Sequence, residues 1–254
     1  MPSLDLFCLQ GKVALVTGSA RGLGAAIALA LAEAGADVVA NDRTDPADTV
    51  RTIAALPGRR ALGLVADLSD RTASDALVAG ALDKMGRLDI LVNNAGIIRR
   101  APAEDYPDEA WDQVIEINLT AVFRLSRAAG RHMLARGSGK IVNIASLLSF
   151  QGGITVPSYT AAKSGVAAIT KALANEWAGR GINVNAIAPG YMRTENTRPL
   201  AEDPVRSRQI SERIPAGRWG EPRDLAGTAV FLASAASDYV NGHVLVVDGG
   251  WMAR

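Results

Sequence analysis

Tyr159 and Lys163 stand four positions apart in SFQGGITVPSYTAAKSGV, the stretch from Ser149 to Val166. On a helix, that spacing sets both side chains on one face. A phenol beside an ammonium is suited to proton transfer. A free tyrosine, with a pKa of about 10, is a poor base near neutrality, and a neighbouring cation lowers that value by stabilising the phenolate. The same spacing also fits an amphipathic helix with an aromatic anchor and a solvated lysine. Which of the two holds depends on what else the chain supplies.

Three further features bear on it. Ser146 closes the run IVNIAS, thirteen residues before Tyr159. Asn118 lies inside an otherwise apolar helical pattern, WDQVIEINLTAVF, where a buried amide costs energy unless its hydrogen bonds are satisfied. Upstream, VTGSARGLGAAIA holds Gly18, Gly22 and Gly24 in a G-x-x-x-G-x-G spacing. Glycines at a strand-to-helix turn let the backbone approach a pyrophosphate, whose charge then meets the helix N-terminus. Three glycines alone also describe an ordinary turn. The strand before them and the uninterrupted helical run after them supply the context a dinucleotide site requires.

Asp42 follows Gly24 by eighteen residues, at the tip of DVVAND. A carboxylate at the end of a second strand can accept both hydroxyls of an adenosine ribose and repel a 2′-phosphate, which favours NAD over NADP. Arg43 and Arg21 argue in the other direction, since either could pair with that phosphate. Asp67, in VADLSD, offers its carboxylate to an adenine amine or to a helix N-terminus as a cap, and Ser69 is an equally good cap. In NNAG, Asn93–Gly96, two amides and a glycine can line a cofactor ribose or tie neighbouring strands together.

These residues need a frame, and the chain has an alternating one. Short β-type runs cover Lys12–Gly18, Asp37–Asp42, Arg60–Asp70, Leu88–Gly96, Gly139–Ser146, Ile182–Gly190 and His243–Gly250. Helical patterns lie between them, among them Gly22–Gly35, Asp108–Arg136 and Ser158–Gly179. Strands apolar on both faces and separated by helices imply an α/β fold with a parallel sheet covered on both sides. The expectation is a single doubly wound domain of seven strands over residues 1–254. The one break in rhythm, Tyr191–Gly220, is polar and holds Pro199, Pro204 and Pro215. Ligands of such sheets sit beyond the carboxyl ends of the strands, so this insertion is a candidate substrate lid.

The totals narrow the function classes. The 254 residues carry a net charge of +1, with arginines spread along the length, which gives no basic footprint for nucleic acid. One cysteine, Cys8, permits no internal disulfide, and two distant histidines and scattered acids form no metal-spaced cluster. No apolar run reaches the ~18 residues of a membrane span. The start MPSLDLFCLQGK lacks a basic stretch followed by an apolar one, so no signal peptide is expected, and a cytoplasmic location is.

TG-x-x-x-G-x-G at Thr17–Gly24, NNAG, Asn118, Ser146, Y-x-x-x-K and the Pro189–Gly190 pair occur together and in order. With these motifs, the chain resembles the short-chain dehydrogenases/reductases over essentially its full length. The resemblance implies Tyr159 as general acid/base, assisted electrostatically by Lys163 and by the charge of an oxidised nicotinamide. It implies Ser146 as the hydrogen-bond partner of the substrate oxygen, and Asn118 as holder of a water linking Lys163 to solvent. It implies an NAD site built from Gly18, Ser19, Arg21, Gly22, Leu23, Gly24, Asp42, Asp67 and Leu68 on the adenosine side. Asn94, Ala95, Gly96, Tyr159, Lys163, Pro189, Gly190, Met192 and Thr194 would continue it to the nicotinamide.

NNAGIIRR, SLLSFQGGITVPSYTAAKSGV, NEWAGRGINVNAIAPGYM and VDGGWMAR are most similar to family members acting on deoxy sugar acids in uronate degradation. That implies a six-carbon deoxy sugar acid, oxidised at a secondary hydroxyl or reduced in reverse. A carboxylate suits an arginine fork. Arg100 is the first candidate and Arg218 the second, ahead of Arg99 and Arg193, with Gln151, Ser146 and Tyr159 as further substrate contacts. Two alternatives stay open: a reductase of another small carbonyl such as a 3-oxoacyl-carrier-protein, and a dinucleotide sensor without turnover. The resemblance also implies a homotetramer assembled through the helices carrying Asn118 and Tyr159. The tail VDGGWMAR, apolar at Trp251 and Met252, would find cover at a second interface or on its own subunit.

Overall fold

Val13 and Leu15 pack into one apolar layer, and Ala14 and Val16 into another. This alternation along a strand buried throughout is the signature of a sheet covered on both faces. A computed structural model of the protein describes residues 2–254. Among these, seven strands form one sheet: β1 (Val13–Thr17), β2 (Asp37–Asp42), β3 (Ala61–Val65), β4 (Ile90–Asn93), β5 (Gly139–Ile144), β6 (Ile182–Pro189) and β7 (Val244–Val247). Their order is β3-β2-β1-β4-β5-β6-β7, and every pairing is parallel. Leu15 pairs in register with Val39 on one side and Leu91 on the other.

The helices are α1 (Gly22–Glu33), α2 (Ala47–Ala54), α3 (Ala73–Met85), α4 (Asp108–Ile115), α5 (Ala121–Arg136), α6 (Pro157–Trp177), α7 (Arg198–Glu202), α8 (Pro204–Arg213) and α9 (Ala226–Ala233). Residues of α3, α5 and the end of α6 cover the face holding Leu15. Residues of α1 and α9 cover the face holding Val16. No helix among the described residues is long and apolar enough to cross a membrane.

Strand order reverses between β1 and β4, which lie side by side although two strands separate them in sequence. Crevices at such switch points take ligands in open parallel sheets. The Asn94 side chain locks the two strand ends together, its Nδ2 donating to the carbonyls of Thr17 and Gly18 at 2.9 Å each. The backbone N–H groups of Asn94 and Ala95 donate to Thr17 Oγ1, both at 3.1 Å.

Two elements differ from the pattern expected of them. The single helix expected over Asp108–Arg136 is divided by a π-helical turn, Glu116–Thr120, centred on Asn118. The reason is local: Asn118 is 0% exposed, and both ends of its amide reach the backbone of Ile97. Extra residues in a helical turn re-aim a side chain in this way. Neither Asp67 nor Ser69 caps a helix, because α3 begins later, at Ala73. Asp67 instead closes a turn by accepting from the Ser69 N–H at 2.9 Å.

Candidate active site

The strand ends β1, β2 and β4 meet the Tyr191–Gly220 segment around a cavity of about 750 Å3. The glycine turn forms one end of its lining. Gly18 and Gly22 hold positive φ values of 64° and 60°, a region that costs most residues strain. A methyl group at Gly18 would come within 2.8 Å of the Ala95 Cα, and one at Gly24 would collide with the Gly18 carbonyl and the Asn94 amide. Glycine is therefore required twice, and the turn leaves the N-terminal N–H groups of α1 open to an anion.

Asp42 lies beside this turn. Its Oδ2 accepts from the Ala20 N–H at 3.1 Å, and its Oδ1 from the Arg43 N–H at 2.7 Å. Arg21 and Arg43 line the same end, with Asp67 and Leu68 adjoining. Asp67 is held below the usual carboxylate range by its hydrogen bonds from Ser69, with Arg43 adding attraction. Asn41, also in the lining, is buried and has an Oδ1 without a partner. A glycine cradle, a helix N-terminus, acceptors for ribose and adenine groups and one orphaned acceptor fit a dinucleotide. Leu23, Asn94, Ala95 and Gly96 continue the wall toward the chemistry.

At the other end stand Tyr159 and Lys163, on the first turns of α6. The Lys163 Nζ lies 5.6 Å from the Tyr159 ring centroid and donates to the Ile144 carbonyl at 2.5 Å. Lys163 is 3% exposed, and burial lowers its ammonium pKa to about 8. Burial also pushes the Tyr159 phenol up, against the opposing pull of the Ser146 hydroxyl and the Arg100 guanidinium.

Ser146 follows β5 directly and is fixed by a cap: its Oγ accepts from the Leu148 N–H at 3.2 Å. Ser149 was not singled out by motif, yet it joins the two halves of the centre. Its hydroxyl donates to the Lys163 carbonyl at 2.6 Å and accepts from the Ser146 N–H at 3.4 Å. The S-x-x-S spacing at Ser146 and Ser149 is the signal that could have found it.

Arg100 sits on the loop after β4, exposed and close enough to act on Tyr159. That loop is stitched to the one before α6. The Ala101 N–H donates to the Thr155 carbonyl at 3.1 Å, and Tyr106 and Ser158 share a hydroxyl hydrogen bond of 2.6 Å. Thr155 holds this position at φ 63°, a strained value for a β-branched residue.

Several expected contacts lie elsewhere. Arg218 makes a two-pronged ion pair with Asp224, at 2.6 and 3.0 Å, and lines a separate cavity of about 270 Å3. Arg218 is thus engaged with Asp224 on the wall of this smaller cavity. The Gln151 Oε1 accepts from the Trp251 Nε1 at 3.4 Å and is likewise outside the lining. The Ser19 hydroxyl turns inward to the Val16 and Asn41 carbonyls, so it shapes the glycine turn from behind. Pro189 and Gly190 are not among the lining residues, and Met192 lines the smaller cavity. Gly190 passes so close to Asp248 that a methyl group would lie 2.6 Å from its Cα. Thr194 does line the cavity, facing Gly22. Both ends of the Asn118 amide pair with the Ile97 backbone, at the edge of the lining. Arg193, a candidate by position, does line the cavity, and Glu195, Asn196 and Arg198 add a polar and charged wall that no motif marked, because it comes from the irregular insertion.

Known proteins share this frame. The profile of a family described as Enoyl-(Acyl carrier protein) reductase matches residues 18–252. A 2-dehydro-3-deoxy-D-gluconate 5-dehydrogenase of Dickeya dadantii (strain 3937) is 57% identical over 252 residues, covering 99% of each chain. The protein of that description from Bacillus subtilis (strain 168) is 55% identical over 250 residues, covering 98% of each. Among solved structures, a gluconate 5-dehydrogenase from Burkholderia cenocepacia J2315, in complex with NADP and tartrate, is similar at 43% identity. It superimposes with a TM-score of 0.94 over 99% of both chains. With the parallel seven-stranded sheet, the glycine turn and the Tyr159–Lys163 pair in place, the chain belongs to the short-chain dehydrogenase/reductase family of oxidoreductases.

Proposed function

We propose that the protein interconverts a secondary alcohol and a ketone on a six-carbon deoxy sugar acid, 2-dehydro-3-deoxy-D-gluconate or 2-deoxy-D-gluconate, using NAD, in uronate degradation. One observation carries the reading: the glycine turn, Asp42 and the Tyr159–Lys163 pair all open onto one cavity. A bound dinucleotide supplies the hydride chemistry there. Gly18, Arg21, Gly22 and Leu23 would hold its phosphate side, Asp42 its ribose, and Asp67 its adenine. Tyr159 takes the hydroxyl proton on oxidation and returns it on reduction. Ser146 donates to the same substrate oxygen as negative charge develops on it. Lys163, cationic below about pH 8, stabilises the phenolate form across its 5.6 Å separation. Asn118 keeps the Ile97 backbone in place beside Gly96, which lines the cavity.

The sugar-acid substrate is supported by what the Dickeya and Bacillus relatives are described as acting on. Arg100 supports it chemically. It has no carboxylate partner among the described residues and lies within electrostatic reach of Tyr159, where a substrate carboxylate needs a counter-charge. NAD is supported by Asp42, whose charge opposes a 2′-phosphate; Arg21 and Arg43 keep NADP as a weaker substrate. Residues 1–254 act as one domain, with Tyr191–Gly220 as its lid. Trp111 and Phe123, each 40% exposed beside the π turn, support assembly of a cytoplasmic homotetramer through the helices carrying Asn118 and Tyr159. Sedimentation equilibrium giving a monomer would overturn the assembly.

The deciding measurement is kcat/KM for 2-dehydro-3-deoxy-D-gluconate and for a 3-oxoacyl thioester, each with both dinucleotides. The expected result is efficient turnover of the sugar acid with NAD. Preference for the thioester would replace the substrate assignment. Absence of hydride transfer across an alcohol and ketone panel would leave only dinucleotide binding.

A further inference from the structure

Trp251, three residues from the C-terminus, touches three segments that the chain connects only through long detours. It is 5% exposed. The Arg213 guanidinium, at the end of α8, lies 3.9 Å from its ring centroid. Tyr191, where the chain leaves β6, stands 4.7 Å away between centroids. The indole Nε1 donates to Gln151, in the loop between Ser146 and Tyr159. Ile210 and Ile214 pack beside it from the insertion, and Leu147 from the residue after Ser146.

The tail is folded to deliver this ring. The Asp248 carboxylate accepts from the N–H groups of Gly250 and Met252, both at 2.8 Å. The Ala216 N–H donates to the Gly249 carbonyl at 2.9 Å. A methyl group at Gly249 would come within 2.8 Å of Ile214, so the tail approaches the base of α8 as closely as glycine allows. Arg254 donates to the Glu212 carbonyl at 2.6 Å. The tail therefore covers its own subunit. The short helix α7 rests on the same apolar cluster through Leu200 and Ala201, and Ala201 also lines the large cavity.

We propose that Trp251 is a positioning residue that latches the Tyr191–Gly220 lid in its closed seat and couples that seat to the loop carrying Ser146. The proposal rests on the lid reading given above. One indole joins the two parts by three means: a cation over its face, a hydrogen bond from its edge and apolar contact around it. Its removal frees the lid and the serine loop from each other while leaving Tyr159, Lys163 and the sheet untouched. A lid that closes poorly weakens the hold on a small substrate more than the hold on a long dinucleotide anchored at the glycine turn.

The test uses full-length Trp251→Phe, which keeps the aromatic face and drops the bond to Gln151, and Arg213→Gln, which drops the cation. Arg213→Lys serves as the charge-retaining control, since an ammonium over the ring keeps the cation–π attraction. Trypsin cleavage after Arg206 and Arg208 is followed with NAD present, together with KM for substrate and for NAD, and the thermal midpoint. Both variants are expected to accelerate lid cleavage and raise substrate KM about tenfold, with NAD KM and the thermal midpoint unmoved and Arg213→Lys near wild type. Unchanged cleavage and KM overturn the latch. So does a parallel loss of NAD affinity and thermal midpoint, which marks a merely structural role. The proteolysis arm needs no substrate, so failure of the sugar-acid assignment leaves the latch tested.

Discussion

The Lys163 ammonium, carried by α6 5.6 Å from the Tyr159 ring centroid, is anchored not to its own helix but to the Ile144 carbonyl of β5. Helix and sheet thus fix the cation jointly. The arrangement sets chemistry against stability, because the same burial that excludes water from the pair lowers the ammonium pKa to about 8.

Lys163→Met is therefore expected to stabilise the fold while abolishing turnover. The unfolded lysine titrates near its model value of 10.5, and the folded one near 8. Below pH 8 both forms are charged and the folded state bears the full desolvation cost, roughly 3 kcal/mol from a shift of this size. Between 8 and 10.5 the unfolded chain binds more protons, so wild-type stability rises with pH. The advantage of the methionine variant should be greatest at pH 7 and shrink by pH 10. Urea denaturation at the two pH values measures it; equal differences at both would show that the charge is not the cause.

Tyr159→Phe should retain dinucleotide binding and lose roughly 10²–10⁴-fold in kcat, the usual range for a positioned general acid/base. Since burial raises the phenol pKa against the pull of Ser146 and Arg100, the oxidation rate of the wild type should climb with pH through the alkaline range. Ser146→Ala removes one opposing influence and should move that rise to higher pH. A pH profile of kcat for the three proteins checks both statements.

The parallel sheet, its seven strands and the long α6 were legible because strand and helix periods are local and repeated. The glycine turn was legible because its backbone demands remove every residue but one type at Gly18 and Gly24. Less was legible where tertiary contacts decide. Nothing local marks Asn118 as the centre of a π turn, since its partner is Ile97, twenty-one positions away. Position alone does not reveal that Arg218 pairs with Asp224 or that the Gln151 Oε1 accepts from Trp251, because both partners come from tertiary packing. The part of the charged cavity wall formed by Glu195 and Arg198 arises from an insertion with no period to read.

Asp42→Asn should shift cofactor preference toward NADP. The carboxylate already accepts from Ala20, Arg43 and Thr44 N–H groups, which fix its direction without removing its charge. Asparagine keeps one acceptor and loses the repulsion of a 2′-phosphate, while Arg21 and Arg43 remain in the wall. The ratio of kcat/KM for NADP to that for NAD is expected to rise about tenfold, the scale of one screened charge interaction near a protein surface. An unaltered ratio would assign cofactor choice to the arginines.

Asn118→Ala tests whether the π turn exists to hold Ile97. The amide accepts from the Ile97 N–H and donates to its carbonyl, each at 2.8 Å, and alanine leaves both groups without a protein partner. Expected destabilisation is about 2 kcal/mol, because each buried polar group left unsatisfied costs roughly 1–3 kcal/mol and solvent from the cavity offsets part of it. Asn118→Asp separates the two bonds. It keeps an acceptor for the N–H but aims a second oxygen at the Ile97 carbonyl, which raises the folded pKa of the new carboxyl above its unfolded value. The folded chain then binds the extra proton, so relative to wild type this variant should recover stability as pH falls through that raised pKa. Denaturation midpoints at pH 7 and pH 5 read the difference, and a deficit independent of pH would mean that Ile97 tolerates the loss of its donor.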